Sequence, residues 1–342
     1  MNGRRGNSHV SGFAGQQESA PLRENELHAV IRDRGVDNPL MKITANQIDI
    51  EIEDSHPGDV TGRPVVLLIM GLGMQLITWP PEMVQALVNA GFRAVRFDNR
   101  DIGLSQHFDA LGSPNLLWEG LKYKLGWRIR SPYTLTDMAR DAVGVLDALQ
   151  IDKAHIVGVS MGGMIAQRVA IEAPLRVLSL TSIMSSSGAR GLPAATPEVT
   201  RQLLSRPAGK TRQAAIDHTV KLFKLIGSPG FPTEDGLLRE RVAASAERNF
   251  HPQGIARQMV AIVGDGSRAA ALAGLKTPTL VLHGKADPLV PFACGEDTAR
   301  RIPGATLVAV DGMGHDLPPG VVERLLASMI PHFQSVAFYP AA

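Results

Sequence analysis

Strand-like apolar runs and helix-like stretches take turns along the chain from about residue 43 to residue 333, and few folds accommodate that alternation. Val65-Val66-Leu67-Leu68-Ile69-Met70 is the purest of the runs, closed at once by Gly71-Leu72-Gly73. Six apolar residues without a polar break suit a strand buried on both faces, inside a parallel sheet covered by helices. Before it, Ile48, Ile50 and Ile52 alternate with Asp49, Glu51 and Glu53, which predicts a half-exposed strand. After it the pattern predicts a helix over 81–90 ending at Gly91, a strand over 94–97, a long insertion, and a helix over 135–149. Thr134 and Asp137 stand at the spacing of a capping pair for that last helix. A strand over 154–159, a helix over 162–173 and a strand over 177–184 follow. Residues 188–276 break the rhythm, and strand 279–282, helix 294–302, strand 306–310 and helix 321–333 resume it. The expectation is an α/β fold with a mostly parallel sheet flanked by helices, and one insertion between two sheet strands.

Composition removes several classes of function. The 342 residues suit two domains or one large one, and 35 basic against 33 acidic residues leave a formal charge of +2. That balance argues against a nucleic-acid binder, which needs a concentrated basic surface. Cys294 is the single cysteine and has no partner for a disulfide. The apolar run at 65–70 is far too short to span a bilayer, and a cytoplasmic location is expected. Residues 1–38 are rich in Gly, Ser, Asn, Gln and charge, and read as a flexible or loosely docked arm. Arg4-Arg5 invites an export reading, but no continuous apolar segment follows the pair.

Gly158-Val159-Ser160-Met161-Gly162 matches G-x-S-x-G. Five residues are weak evidence alone; their position between a predicted buried strand and a helix is what gives them meaning. A serine hydroxyl needs a base. Of ten histidines, His315 lies just after the last predicted strand, at the carboxyl edge where catalytic loops of open α/β sheets gather. His107, His218 and His251 fall in insertions and remain alternatives, while His155 is at the opposite edge and His283 reads as a brace. The histidine needs a carboxylate, and Asp287 occupies the loop after strand 279–282. Ser185-Ser186-Ser187, in the competing loop, offers none. The chain order Ser160, Asp287, His315 is nucleophile, acid, base.

With these three loops, residues 42–333 resemble the α/β-hydrolase superfamily. Leu68-Ile69-Met70-Gly71 and the stretch Arg96-Phe97-Asp98-Asn99-Arg100-Asp101-Ile102-Gly103-Leu104-Ser105 resemble its serine esterase branch, which includes bacterial aclacinomycin methylesterase. Met70 stands where many members carry histidine. The resemblance implies an α/β-hydrolase core over 39–187 and 277–342, and a helical cap over 188–276. It further implies an oxyanion hole from the backbone N–H groups of Leu72 and Met161, and hydrolysis of a small-molecule carboxylic ester without cofactor or metal. Asp98 and Arg100 could contact substrate, but as a charged pair behind the nucleophile they read as an internal brace. Leu222, Phe223, Leu225, Ile226 and Phe231 could line an acyl or alcohol site, or simply pack the cap. The stretch 116–130 sets Trp118 and Trp127 among Lys122, Lys124, Arg128 and Arg130, with Leu117, Leu121 and Leu125 every fourth residue. It reads as a helix folded against the cap, with contact to a membrane surface as the alternative. Carbon–carbon bond hydrolysis, perhydrolysis, acyl transfer and ligand reception remain open beside ester hydrolysis, and the oligomeric state is not legible.

Overall fold

The computed structural model describes residues 40–59, 62–209, 211–265 and 268–336. The arm expected at 1–38 lies outside the described residues. Eight strands form one sheet in the order β1-β2-β4-β3-β5-β6-β7-β8. They are β1 (Leu40–Ala45), β2 (Ile48–Asp54), β3 (Val65–Ile69), β4 (Arg93–Phe97), β5 (Ala154–Val159), β6 (Val177–Ile183), β7 (Thr279–Gly284) and β8 (Thr306–Val310). The six strands β3 to β8 run parallel, while β1 and β2 form an antiparallel edge.

The unbroken apolar run has the cause the sequence suggests. Val65, Leu67 and Ile69 enter one core, with Leu135, Met138 and Val145 of α3 (Leu135–Ala148) and Ile165 and Val169 of α4 (Met161–Glu172). Val66, Leu68 and Met70 enter the other, with Met83 and Leu87 of α1 (Pro81–Asn89) and Leu325 and Met329 of the last helix (Pro319–Gln334). Successive side chains of a strand point to opposite faces, so a strand with helices on both sides has no solvent face. Thr134 accepts the Asp137 N–H while Asp137 accepts the Thr134 N–H, which caps α3 at both ends of the expected pair.

The half-exposed strand is corrected. Ile50 and Ile52 are buried as expected, but so are Glu51 and Glu53. β1 covers one edge of β2 and β4 the other, and Glu53 pairs with Arg96 at 2.7 Å. Asp49 is exposed as expected, but Glu51 is buried and Glu53 is buried in an ion pair, where the sequence suggested solvated side chains.

Four longer helices fill the interval between β6 and β7: Pro197–Leu204, α6 (Arg212–Ile226), α7 (Asp235–Arg248) and α8 (Pro252–Gly264), with α5 taken as the first of them and α2 as Leu116–Lys124. They have a small apolar cluster of their own around Ile216, Val220 and Val242, joined by Phe223. Phe231 packs instead with the core that holds Met313 and Val321. No helix among the described residues is long and apolar enough to cross a membrane.

One buried group gives the fold a pH dependence. His155 in β5 lies against Phe92 and Phe333, with Nδ1 2.8 Å from Ser179 Oγ. Burial, and secondarily the neighbouring His332, pull its pKa down to about 4. Between its ordinary value and 4 the unfolded chain binds the extra proton, so stability falls as pH falls across that window. The full effect is about 3 kcal/mol. Thermal midpoints measured from neutral pH down to the lower end of the window should fall in wild type and fall less in His155→Leu. Equal slopes would exclude this ring as the cause.

Candidate active site

The sheet order reverses at β3, which has β4 on one side and β5 on the other. A crevice opens beyond the carboxyl ends of parallel strands at such a switch point. The loops leaving β3 and β5 are adjacent there, because Ile69 pairs with Gly158. Ser160 is the residue between β5 and α4, at φ +56° and ψ −118°. That conformation is unfavourable for a residue with a Cβ, and such strain persists only where its surroundings hold it. The Ser160 N–H donates to Ile183 O at 2.9 Å, and Ser185 Oγ donates to Ser160 O at 2.7 Å. A side chain at Gly158 would strike the backbone of Gly162, and one at Gly162 would strike Ile69 O, so the turn closes only with glycine at both.

His315 and Asp287 come to the same edge from the loops after β8 and β7. His315 Nε2 is 3.0 Å from Ser160 Oγ, and its Nδ1 is 2.7 Å from Asp287 Oδ2. A carboxylate only accepts, which places the ring proton on Nδ1 and leaves the Nε2 lone pair facing the hydroxyl. Asp287 Oδ1 accepts the N–H groups of Leu289 and Val290, at 2.9 and 2.8 Å. Burial alone would raise the Asp287 pKa, but the His315 charge, the hydrogen bonds from His315 and Val290, and the nearby His283 ring outweigh it and hold the carboxyl at about 2. His283 donates from Nε2 to Val290 O at 2.7 Å, so it braces the loop that carries Asp287. The structure thus brings Ser160, His315 and Asp287 together. It leaves the alternative histidines elsewhere: His218 meets Ser205, and His107 stacks on His251.

Leu72 and Met161 flank the serine. Met161 is the first residue of α4, where a helix leaves its N–H without an internal partner. Neither the Leu72 nor the Met161 N–H takes a hydrogen bond among the described residues. The loop bearing Leu72 runs hard against the nucleophile, since a Cβ on Gly71 would sit 3.3 Å from Ser160 Cβ. The segments on either side of Ser160, the loop after β3 and the start of α4, thus each carry a backbone N–H with no protein partner among the described residues.

Asp98 and Arg100 are buried, as a brace requires, but they do not pair with each other. Arg100 pairs with Asp141 at 2.6 Å, and Asp98 pairs with Arg248 of α7 at 2.6 Å. Asp98 also accepts the Leu76 N–H at 2.7 Å, and Asn99 Nδ2 donates to Met70 O at 2.9 Å. These residues hold the loop after β3 from below. Gln258 of α8, which sequence reasoning missed, holds it from above. Fully buried, it accepts the Gly73 N–H at 3.0 Å and donates to Arg100 O at 2.9 Å. Its sequence signal was an amide on the Ile255 and Ile262 stripe of a helix, three residues after the first and four before the second. On the other flank, the His315 N–H donates to Ile226 O at 2.6 Å and the Gly314 N–H to Ser228 Oγ at 2.9 Å. Ile226 is thus packed beside the histidine loop by its backbone, while Phe223 and Phe231 serve packing.

Among the described residues one group offers three donor atoms at metal-binding spacing: His107, Asp109 and His251, within 4.8 Å of one another. The two imidazoles stack with centroids 3.9 Å apart and planes at 4°. Ring lone pairs lie in the ring plane, so two stacked rings do not converge on one ion. His251 instead bridges Asp101 O at 2.9 Å and the Asp109 carboxylate at 2.8 Å.

A family model described as alpha/beta hydrolase fold matches residues 64–318. Rhodomycin D methylesterase DauP of Streptomyces sp. (strain C5) is 31% identical over 314 residues, 86% of this chain and 98% of that protein. A putative carbamate hydrolase, RutD of Caulobacter sp. (strain K31), is 27% identical over 83% of this chain and 95% of its own. Among solved structures, a meta-cleavage product hydrolase from Pseudomonas fluorescens superposes with a TM-score of 0.66 at 20% identity, covering 87% of this chain and 98% of that one.

Proposed function

The chain belongs to the α/β-hydrolase family, and we propose that it hydrolyses small-molecule carboxylic esters through an acyl-enzyme on Ser160. The observation that carries this reading is the hydrogen-bonded line Ser160 Oγ, His315 Nε2, His315 Nδ1, Asp287 Oδ2, at 3.0 and 2.7 Å. Ser160 Oγ attacks the ester carbonyl as its proton passes to His315 Nε2, and Asp287 steadies the imidazolium. The Leu72 and Met161 N–H groups stabilise the oxyanion. Collapse expels the alcohol with the proton from His315. Water then enters, gives His315 a proton, attacks the acyl carbon and releases the acid, restoring the serine. No cofactor or metal enters these steps.

In this reading residues 39–187 and 277–342 are the catalytic core, and 188–276 are a cap tied to the loop that carries Leu72 and to the loop that carries His315. Its work is cytoplasmic, in keeping with a single buried thiol that needs no oxidising compartment. The methylesterase relatives direct the first choice of substrate to methyl esters. The test is a panel of esters varied in acyl length and alcohol size, beside a vinylogous diketone acid and an added alcohol or thiol acceptor. Ester turnover should exceed the other two reactions. Dominant cleavage of the diketone, or product partitioning to the acceptor, would replace the reading by its rivals.

Gln258 is a positioning residue for this chemistry. Gln258→Leu leaves the Gly73 N–H and Arg100 O unpaired and frees the loop that carries the Leu72 N–H. We expect kcat to fall about 10- to 100-fold with KM nearly unchanged, a fraction of what losing an oxyanion donor outright costs. Steady-state kinetics check it, and a change confined to KM would assign Gln258 to substrate binding.

A further inference from the structure

We propose that the outer face of α2 and the turn after it form a docking surface for an anionic lipid bilayer. Trp118, Leu121 and Leu125 stand at i, i+3 and i+7, and are 48%, 45% and 52% exposed. Gly126, at φ +70°, ends the helical run, and the Trp127 N–H donates back to Lys122 O at 2.8 Å. This turn sets Trp127, 57% exposed, edge-on to Trp118, with ring centroids 6.4 Å apart at 77°. Of ten large hydrophobic residues exposed among the described residues, five fall between 111 and 127. Scattered exposed apolar side chains are ordinary on a soluble surface, whereas a contiguous group of them marks an interaction site.

The charge around the patch selects the occupant. Lys122 lies over the Trp118 ring at 5.8 Å and neutralises Glu119 at 2.7 Å. Arg128 and Arg130 are exposed and form no ion pair among the described residues. Indole rings rimmed by cations fit the boundary between acyl chains and anionic headgroups. A second copy of the chain fits poorly, because a two-fold contact sets each patch on its own equivalent and brings these arginines together. The surface is also one helix away from the site: α2 packs on α8, and Gln258 of α8 holds Gly73. An ester carried in the bilayer would thus arrive beside the cap. Docking itself does not rest on the esterase reading and is tested without it.

The three tryptophans make the test direct, since Trp79 is fully buried and only Trp118 and Trp127 can report a change of solvent. The full chain is mixed with vesicles of phosphatidylcholine alone or with roughly 30% phosphatidylglycerol, and read by emission and co-sedimentation. The result expected is a blue shift and sedimentation with the anionic vesicles only, weakened by salt. Trp118→Ser with Trp127→Ser should abolish binding while keeping the far-UV circular dichroism and thermal midpoint of wild type, which shows that the variant folds. Arg128→Gln and Arg130→Gln should each weaken binding about fivefold. Any of four results overturns the proposal: no binding to either vesicle, binding indifferent to vesicle charge, full binding by the double tryptophan variant, or a dimer in solution that this variant dissolves.

Discussion

Ser160→Ala should lower kcat for a p-nitrophenyl ester by about 10⁴- to 10⁶-fold, the scale on which serine hydrolases depend on their nucleophile. The size of the loss follows from the chemistry. Alanine leaves His315, Asp287 and the two free N–H groups in place, so the remaining rate is that of water attacking a bound, polarised ester. The fold should hardly register the change. Ser160 Oγ has His315 Nε2 as its hydrogen-bond partner, and the backbone at 160 is held by Ile183 and Ser185 through main-chain atoms. One partly buried hydrogen bond contributes about 1 kcal/mol, so the thermal midpoint should stay within a few degrees of wild type. Kinetics and thermal denaturation on the same preparation separate a lost nucleophile from a lost fold. A variant that keeps within tenfold of wild-type turnover would place the nucleophile elsewhere.

Asp287→Asn should lower kcat by on the order of 10³- to 10⁴-fold through a different route. The amide nitrogen, turned toward His315 Nδ1, donates where the carboxylate accepted, and so favours the tautomer with its proton on Nε2. In that tautomer the ring cannot take the serine proton. The variant should also change the acid limb of stability. With its pKa held at about 2, Asp287 stabilises the fold wherever the unfolded carboxyl is ionised. That contribution, about 2 kcal/mol, is complete above the ordinary carboxylate value and is lost as pH falls through 2. Wild type should therefore lose stability more steeply than Asp287→Asn as pH drops across that window. Parallel curves would show that the carboxylate is not held down by His315 and its hydrogen bonds.

Ser160, Asp287 and His315 were legible in the sequence because each follows a strand whose apolar run is unmistakable. The edge of a parallel sheet turns that sequential rule into a spatial one. β5 and β8 begin and end at the expected residues, and the neighbouring helices shift by only one or two. What the sequence concealed are the ties between distant segments. Gln258 reaches Gly73 across 185 residues and Arg248 reaches Asp98 across 150, and no local periodicity encodes either. Asp98 and Arg100 could be read as buried braces from their place behind β4, but their partners, Arg248 and Asp141, could not. Glu51 and Glu53 misled because alternation records polarity and not exposure, and a buried carboxylate such as Glu53, paired with Arg96, is as polar as a solvated one. At 116–130 the helix does pack on α8, as its apolar stripe suggested, but Leu121 and Leu125 of that stripe stay exposed beside Trp118, which the stripe did not signal.

The central claim, that Ser160 is the nucleophile activated by His315 and Asp287, is tested most directly by covalent capture. A fluorophosphonate reacts with a serine whose proton is being withdrawn and leaves a mass that peptide mapping can place. The account predicts one phosphonyl group per chain, on the peptide that holds Ser160, with none on Ser160→Ala and slow labelling of Asp287→Asn. A label on another residue, or equal labelling of wild type and Ser160→Ala, would contradict it.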